Sequence, residues 1–256
     1  MLNVRVIPTL LLRNNGLVKG CRFKDHKYVG DPINAVKIFN EKEVDELVFL
    51  DITATASSKG PNFELLKDIA SEAFMPFGYG GGISNCQQIE QLFRLGVEKV
   101  ILNTSAYTNP QLIQDASSIA GAQSIVVSID AKKTLFGGYE VFVASGQQRT
   151  KVDPVTAAKK AQDLGAGEII LCSIDNEGTG QGYDHKLLKV VCSAVSIPVV
   201  AAGGAGKLED FSQAVFESGA SAVAAGDMFV FHGKHKAVLI TYPKYSELVE
   251  LFKRRS

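Results

Sequence analysis

Short apolar runs alternate with amphipathic stretches along the chain. The runs are nearly continuous in their hydrophobicity, which is typical of parallel strands buried on both faces. The stretches between them predict helices, and three of these follow a capping residue with proline next to it: Asp31-Pro32, Asn109-Pro110 and Asp153-Pro154. The predicted strands cover 5–10, 46–51, 75–79, 99–103, 124–130, 168–173, 198–202 and 221–225, and a closing helix covers 242–253.

Eight strand–helix units in a chain of 256 residues predict an α/β protein, a (β/α)8 or TIM barrel. An open, doubly wound parallel sheet is the alternative. The longest connection follows the fifth strand, where 134–143 predicts a hairpin around Gly137-Gly138.

Two glycine-rich turns reveal a repeat. The segment 77–83, Phe-Gly-Tyr-Gly-Gly-Gly-Ile, is echoed by 199–206, Val-Val-Ala-Ala-Gly-Gly-Ala-Gly, and the strands around each turn recur in the same order. We therefore expect one domain over 1–256, built from two duplicated half-barrels of about 1–120 and 121–256.

Composition excludes several classes of function. Acidic and basic residues balance at 27 each, so no bulk charge attracts nucleic acid, and no apolar stretch is long enough to cross a membrane. The four cysteines lack the spacing of a metal site or redox motif. No signal-peptide pattern precedes the first strand, so we expect a cytoplasmic protein with free thiols, no metal and no cofactor.

In a barrel of this class the functional site lies at the C-terminal ends of the strands. Glycines and small polar residues at these ends predict two phosphate sites, because bare backbone N–H groups bind anions. They can equally serve only to make tight turns. The candidate substrate-binding residues are Asp51, Gly82, Asn103, Thr104, Asp175, Gly204 and Gly226.

Two charged residues add candidate chemistry at this end. Asp130 ends an otherwise apolar strand, where a carboxylate is costly unless it is paired or used, so it is a candidate general base. Its alternative role is to bond loop amides. Lys19 falls in the first predicted loop and is either a partner for phosphate or an exposed lysine without a role.

Charges also fall at the opposite ends of four predicted strands: Arg5, Glu46, Lys99 and Glu168. Two bases and two acids there can converge into a ring of ion pairs that closes the bottom of the barrel. Charges at strand starts are more often simply solvated, where ion pairs contribute about 0–1 kcal/mol.

Taken together, these residues resemble the HisF family, the cyclase subunits of imidazole glycerol phosphate synthase. The similarity covers nearly the whole chain and includes Val18-Lys-Gly20, Gly80-Gly-Gly-Ile83, Ile129-Asp-Ala-Lys132, Ser173-Ile-Asp175 and Gly203-Gly-Ala-Gly-Lys207.

The resemblance implies a function and a partner. In that family a HisH-like glutaminase docks on the barrel bottom as the other subunit of a heterodimer. Ammonia passes through the barrel to a bisphosphorylated ribulosyl substrate, giving imidazole glycerol phosphate and an aminoimidazole carboxamide ribotide. By resemblance, the gate corresponds to Arg5, Glu46, Lys99 and Glu168, the base to Asp130, and the phosphate turns to Gly82, Asn103-Thr104, Gly204 and Gly226.

One departure separates this chain from the family. The family has a second aspartate at the end of the first strand, and Leu11 occupies that place here. HisF-like relatives in surface-polysaccharide pathways are thought to supply ammonia to a separate sugar-modifying enzyme that performs an amidination. The chain is therefore either a cyclase or an ammonia conduit and scaffold for such an enzyme. An aldolase or isomerase of the same barrel class is a more distant alternative.

Overall fold

Strands and helices alternate throughout the computed structural model, which describes residues 4–57, 59–233 and 235–253. The strands are β1 Arg5–Arg13, β2 Gly16–Cys21, β3 Lys24–Gly30, β4 Leu47–Asp51, β5 Phe77–Gly80, β6 Lys99–Leu102, β7 Ile125–Lys133, β8 Tyr139–Val143, β9 Gln148–Arg149, β10 Glu168–Ser173, β11 Val199–Ala202, β12 Ala222–Ala225, β13 Phe231–His232 and β14 Ala237–Val238. The helices are α1 Pro32–Glu41, α2 Ala54–Ser57, α3 Phe63–Glu72, α4 Cys86–Arg94, α5 Thr104–Thr108, α6 Gln111–Ala120, α7 Pro154–Asp163, α8 His185–Cys192, α9 Leu208–Ser218, α10 Asp227–Val230 and α11 Tyr245–Leu251.

Eight of these strands close into a parallel barrel. They follow the order β1, β4, β5, β6, β7, β10, β11 and β12, and β12 pairs with β1 to complete the circle. In that closing pair, Val6 lies beside Val223. The predicted (β/α)8 barrel is confirmed, and the alternative of an open sheet is wrong.

Side-chain caps set where several helices begin. The Asp31 carboxylate accepts a hydrogen bond from Asn34 N at 3.0 Å, and Asp153 caps α7 in the same way. Asn109 does not match the prediction, because it ends α5 and leaves Pro110 at the start of α6 without a side-chain cap.

Two hairpins lengthen the barrel strands beyond their predicted ends. β1 continues to Arg13 and turns through Asn14 and Asn15 into β2, which pairs back against it. β7 continues to Lys133 and pairs with β8, so the first strand of the predicted 134–143 hairpin is the end of β7. The closing helix is shorter than predicted and covers Tyr245–Leu251.

The apolar core has two layers. The larger layer lies between the strands and the surrounding helices, with Phe39, Phe49 and Phe211 fully buried in it. The smaller layer fills the barrel interior. Among the described helices, none combines the length and hydrophobicity that a membrane crossing requires, and the four cysteines are free.

Candidate functional site at the C-terminal end of the barrel

A cavity of about 460 Å³ opens where the barrel strands end. Most of the predicted substrate-binding residues line it, and two do not. The lining includes Lys19, Asp51, Gly82, Asn103, Thr104, Asp130 and Gly226, whereas Asp175 and Gly204 lie outside it.

Asp130 is held in the cavity wall by two neighbours. It lies on β7 and is 9% exposed. Ser128 Oγ donates to one carboxylate oxygen at 3.2 Å, and Asn103 Nδ2 donates to the other at 3.2 Å. The two hydrogen bonds fix the orientation of the carboxylate at the edge of the cavity.

Burial shifts the proton affinity of this carboxyl group. Desolvation raises the pKa of Asp130 from 3.8 to about 7, the hydrogen bond from Ser128 opposes that rise, and the negative charge of Glu177 adds to it. Both protonation states are therefore populated near neutral pH. A group poised in this way can either accept or donate a proton.

Leu11 lines the same cavity from β1. Its neighbours across the strand pairs are Val18 on β2 and Leu50 on β4. The predicted repeat pairs Leu11 with Asp130, and at these two positions the cavity is lined by an aliphatic side chain and a carboxylate. A leucine cannot exchange a proton.

Lys19 lies on a strand, so the expectation of a loop lysine was wrong. It belongs to β2 and is 2% exposed, with its Nζ 3.7 Å from Glu177 Oε1. A Cβ placed on Gly226 would lie 1.7 Å from this Nζ. Glycine at position 226 is what allows the ammonium group to occupy the end of β12.

The turn after β5 brings the backbone close to the cavity. Gly82 adopts a φ of +66°, which L-residues rarely adopt, and a Cβ there would meet Ala54 Cβ at 2.8 Å. At the start of α5, which follows the neighbouring strand β6, Thr104 Oγ1 accepts a hydrogen bond from Ala144 N at 3.1 Å. These residues form a second cavity wall, separate from the wall of Lys19 and Gly226.

Three other candidates hold loops in place. Asp51 Oδ1 accepts from the backbone N–H of Thr53 at 2.8 Å, although Asp51 also lines the cavity. Asp175 Oδ2 accepts from Lys133 N at 2.8 Å, outside the lining. The Gly204 carbonyl accepts from Gly182 N at 2.8 Å, so this glycine packs one loop against another.

The four charges at the opposite end converge. Arg5 bonds both Glu46 and Glu168, and Lys99 Nζ lies 3.0 Å from Glu46 and 2.7 Å from Glu168. Each acid contacts both bases, which makes a closed ring. The glutamates are 5% and 4% exposed, so the ring is set into the barrel end rather than dispersed in solvent.

The ring changes the electrostatics of its own members. Burial alone would lower the pKa of Arg5, but the hydrogen bonds and charges of Glu168 and Glu46 outweigh it and raise that pKa. The guanidinium therefore stays charged within the ring.

Between the ring and the cavity, the barrel interior is apolar. Its side chains belong to Ile7, Val48, Ile101, Val126, Ile170, Val200, Ala222 and Ala224. Ile101, Ile170 and Ala224 also line the cavity, so this layer forms the cavity floor.

Some cavity residues were missed at the sequence level. Ser128 was detectable, because it precedes Asp130 by two positions on one strand and must share its face. Phe23 and His26 enter the cavity from the turn and strand after β2. They had no such signal, because that hairpin reads as a polar loop. Cys172 lines the cavity beside Asp130, its partner in the β7–β10 pairing.

Comparison with known proteins gives one consistent family. The histidine biosynthesis protein family matches residues 5–236. The chain is 49% identical to the hisF2 protein of Pseudomonas aeruginosa, over 97% of this chain and 99% of that one. It is 48% identical to the hisF3 protein of Vibrio vulnificus, over 96% and 95% of the two chains. It is also 48% identical to the imidazole glycerol phosphate synthase subunit HisF of Endomicrobium trichonymphae, over 90% and 88%.

Proposed function

This chain belongs to the histidine biosynthesis protein family, as a member of its HisF group, and from that membership we propose that it is a synthase subunit that uses ammonia. The ammonia comes from a HisH-like glutaminase bound at the N-terminal end of the barrel. It reacts with a bisphosphorylated substrate held at the C-terminal end. One observation carries the proposal. The barrel has a ring of charged residues at its N-terminal end and Asp130 in the cavity at its C-terminal end; the ring consists of Arg5, Glu46, Lys99 and Glu168.

The ring suits a gate for a small neutral molecule. Its ion pairs exclude bulk water and dissolved ions while they stay closed. Ammonia carries no charge and needs few hydrogen bonds, so it can cross the apolar interior that follows the ring. A charged species would lose its hydration there at a large cost in free energy.

The cavity offers groups for the substrate. Lys19 supplies a positive charge beside Gly226, and the Gly82 turn with Thr104 supplies a second wall with close backbone approach. We place one phosphate at each wall. Asp130, which lines the same cavity, moves the proton that closure of the imidazole ring requires.

A second candidate function follows from Leu11. Without an acid at the position that the repeat pairs with Asp130, cyclisation would lose a contribution of about 10²–10⁴ in rate. The chain would then act as a HisF-like ammonia conduit and scaffold that passes ammonia to a separate enzyme, which amidinates a surface-polysaccharide sugar.

Turnover with ammonium salt tests the proposal. The purified chain and the ribulosyl bisphosphate substrate are mixed without a glutaminase, and formation of imidazole glycerol phosphate is followed. We expect turnover by the wild type that falls at least about 100-fold in Asp130→Asn. Equal rates for the two proteins would contradict the cyclase function and leave the ammonia conduit as the remaining candidate function.

A further inference from the structure

A phenylalanine projects from the N-terminal face of the barrel. Phe74 is 87% exposed and lies in the short connection from α3 to β5. Connections that lead into barrel strands lie at the N-terminal ends of those strands, and this is the end that carries the ring. A large aromatic side chain left in water forgoes the stabilisation that its burial would give.

The backbone that carries Phe74 is fixed by one side chain. Asn40 Nδ2 donates to the Glu72 carbonyl at 2.6 Å, and Phe74 N donates to Asn40 Oδ1 at 3.0 Å. The Asn40 amide therefore bridges the two sides of the turn. The backbone at Phe74 is therefore held in place before any partner binds, which reduces the backbone entropy lost on binding.

The end of the same connection is hydrogen-bonded to residues next to the ring in the chain. Leu47 N, next to Glu46 in the chain, donates to the Pro76 carbonyl at 3.0 Å, and Glu98 N, next to Lys99, donates to the Phe77 carbonyl at 2.9 Å. The last residue of the connection and the first residue of β5 are thus hydrogen-bonded to the backbone beside two ring residues. A protein that seals the ring must cover this part of the face.

We propose that Phe74 is an anchor residue of the glutaminase interface and inserts into an apolar pocket of that partner. The inference rests on the proposed function. Aromatic side chains surrounded by a polar rim typically dominate such interfaces. The ion pair between Lys37 Nζ and Glu72 Oε1, 3.5 Å apart, supplies polar groups for such a rim next to Phe74. Anchoring beside the ring would align the glutaminase outlet with the gate.

The test is a titration of the full chain with a HisH-type glutaminase from the same organism. Phe74→Ala should raise the Kd by at least about 30-fold. The matched control is Phe136→Ala, since Phe136 is 99% exposed at the tip of the β7–β8 hairpin, at the opposite end of the barrel. The control should bind within about twofold of wild type. Turnover with ammonium salt should be unchanged in both variants.

The outcomes separate this inference from the proposed function. Wild-type affinity in Phe74→Ala would overturn the anchor and leave the proposed function intact. No binding by the wild-type chain would overturn both. Sedimentation of the chain alone covers the remaining case: a dimer that Phe74→Ala dissociates, with glutaminase binding preserved, would assign Phe74 to self-association and contradict the anchor.

Discussion

Asp130 has a chemical property that depends on its surroundings rather than on its residue type. Hydrogen bonds from Ser128 and Asn103 orient it, and burial brings its pKa to about 7. The sequence indicated an unusual carboxylate at a strand end. It did not indicate the pKa, because that depends on how completely the closed barrel excludes water around one side chain.

Asp130→Asn should stabilise the protein above neutral pH. The folded-state pKa of about 7 lies above the ordinary value of 3.8, so the folded state favours the proton. Its stabilising contribution is complete below pH 3.8 and is lost as pH rises through 7. At pH 8 the neutral asparagine avoids the cost of a buried charge, on the order of 2–4 kcal/mol. Urea unfolding at pH 5 and pH 8 measures this, and a stability difference that does not change with pH would contradict the buried-carboxylate account.

Leu11→Asp should increase cyclase turnover. The substitution places an acid in the cavity wall at the position that the repeat pairs with Asp130. We expect a gain of about 100-fold, at the lower limit of acid–base contributions. Leu11→Asn is the matched control, because it is nearly the same size as aspartate and cannot release a proton. A gain of the same size in both variants would trace the effect to polarity instead of proton transfer.

At the scale of elements, the sequence predicted the barrel strands best. Their boundaries match to within a few residues because each is a nearly continuous apolar run, as in β10, where the predicted and observed ranges agree. The β2–β3 hairpin was missed because β3 is mostly exposed and polar. Its strands form by backbone pairing with the extended end of β1, which local hydrophobicity does not record. The error on Lys19 follows from this missed hairpin.

Gly226→Ala should weaken phosphate binding. The new Cβ would overlap the Lys19 ammonium group and displace it from the cavity. A charge-assisted hydrogen bond to phosphate is worth about 1.5–3 kcal/mol, so we expect the substrate KM to rise by about 10-fold or more. Gly138→Ala is the control and should leave the KM unchanged, because it lies in a hairpin turn where the new Cβ would make only an ordinary contact with Thr134 Oγ1 at 3.4 Å. An unchanged KM in Gly226→Ala would show that Lys19 does not hold substrate.

At the scale of the whole molecule, the charges at four strand starts suggested a ring of ion pairs but did not decide between a ring and solvated charges. Arg5, Glu46, Lys99 and Glu168 are far apart in sequence, and each alone looks like a solvated charge at a strand start. Barrel closure brings them together and buries the two acids. The resemblance to HisF indicated their association, whereas hydrophobic pattern alone did not.

The buried acids also set the stability cost of opening the ring. Lys99→Ala leaves Glu46 and Glu168 with Arg5 as their remaining ring base. We expect a loss of about 1–3 kcal/mol in unfolding free energy, less than for a buried pair that loses its sole partner. Thermal unfolding measures the loss. A variant that fails to fold would contradict the expectation that Arg5 alone can pair with both glutamates.

The most direct test of ammonia transfer through the barrel compares two ammonia sources in the complex with glutaminase. Lys99→Ala should lower glutamine-dependent turnover by about 10-fold or more, because the opened ring lets ammonia exchange with bulk water, and should leave turnover with ammonium salt within about twofold of wild type. Arg94→Ala, which removes an exposed pair with Glu90, is the control and should change neither rate. Equal losses with both ammonia sources in Lys99→Ala would contradict a gate at this ring.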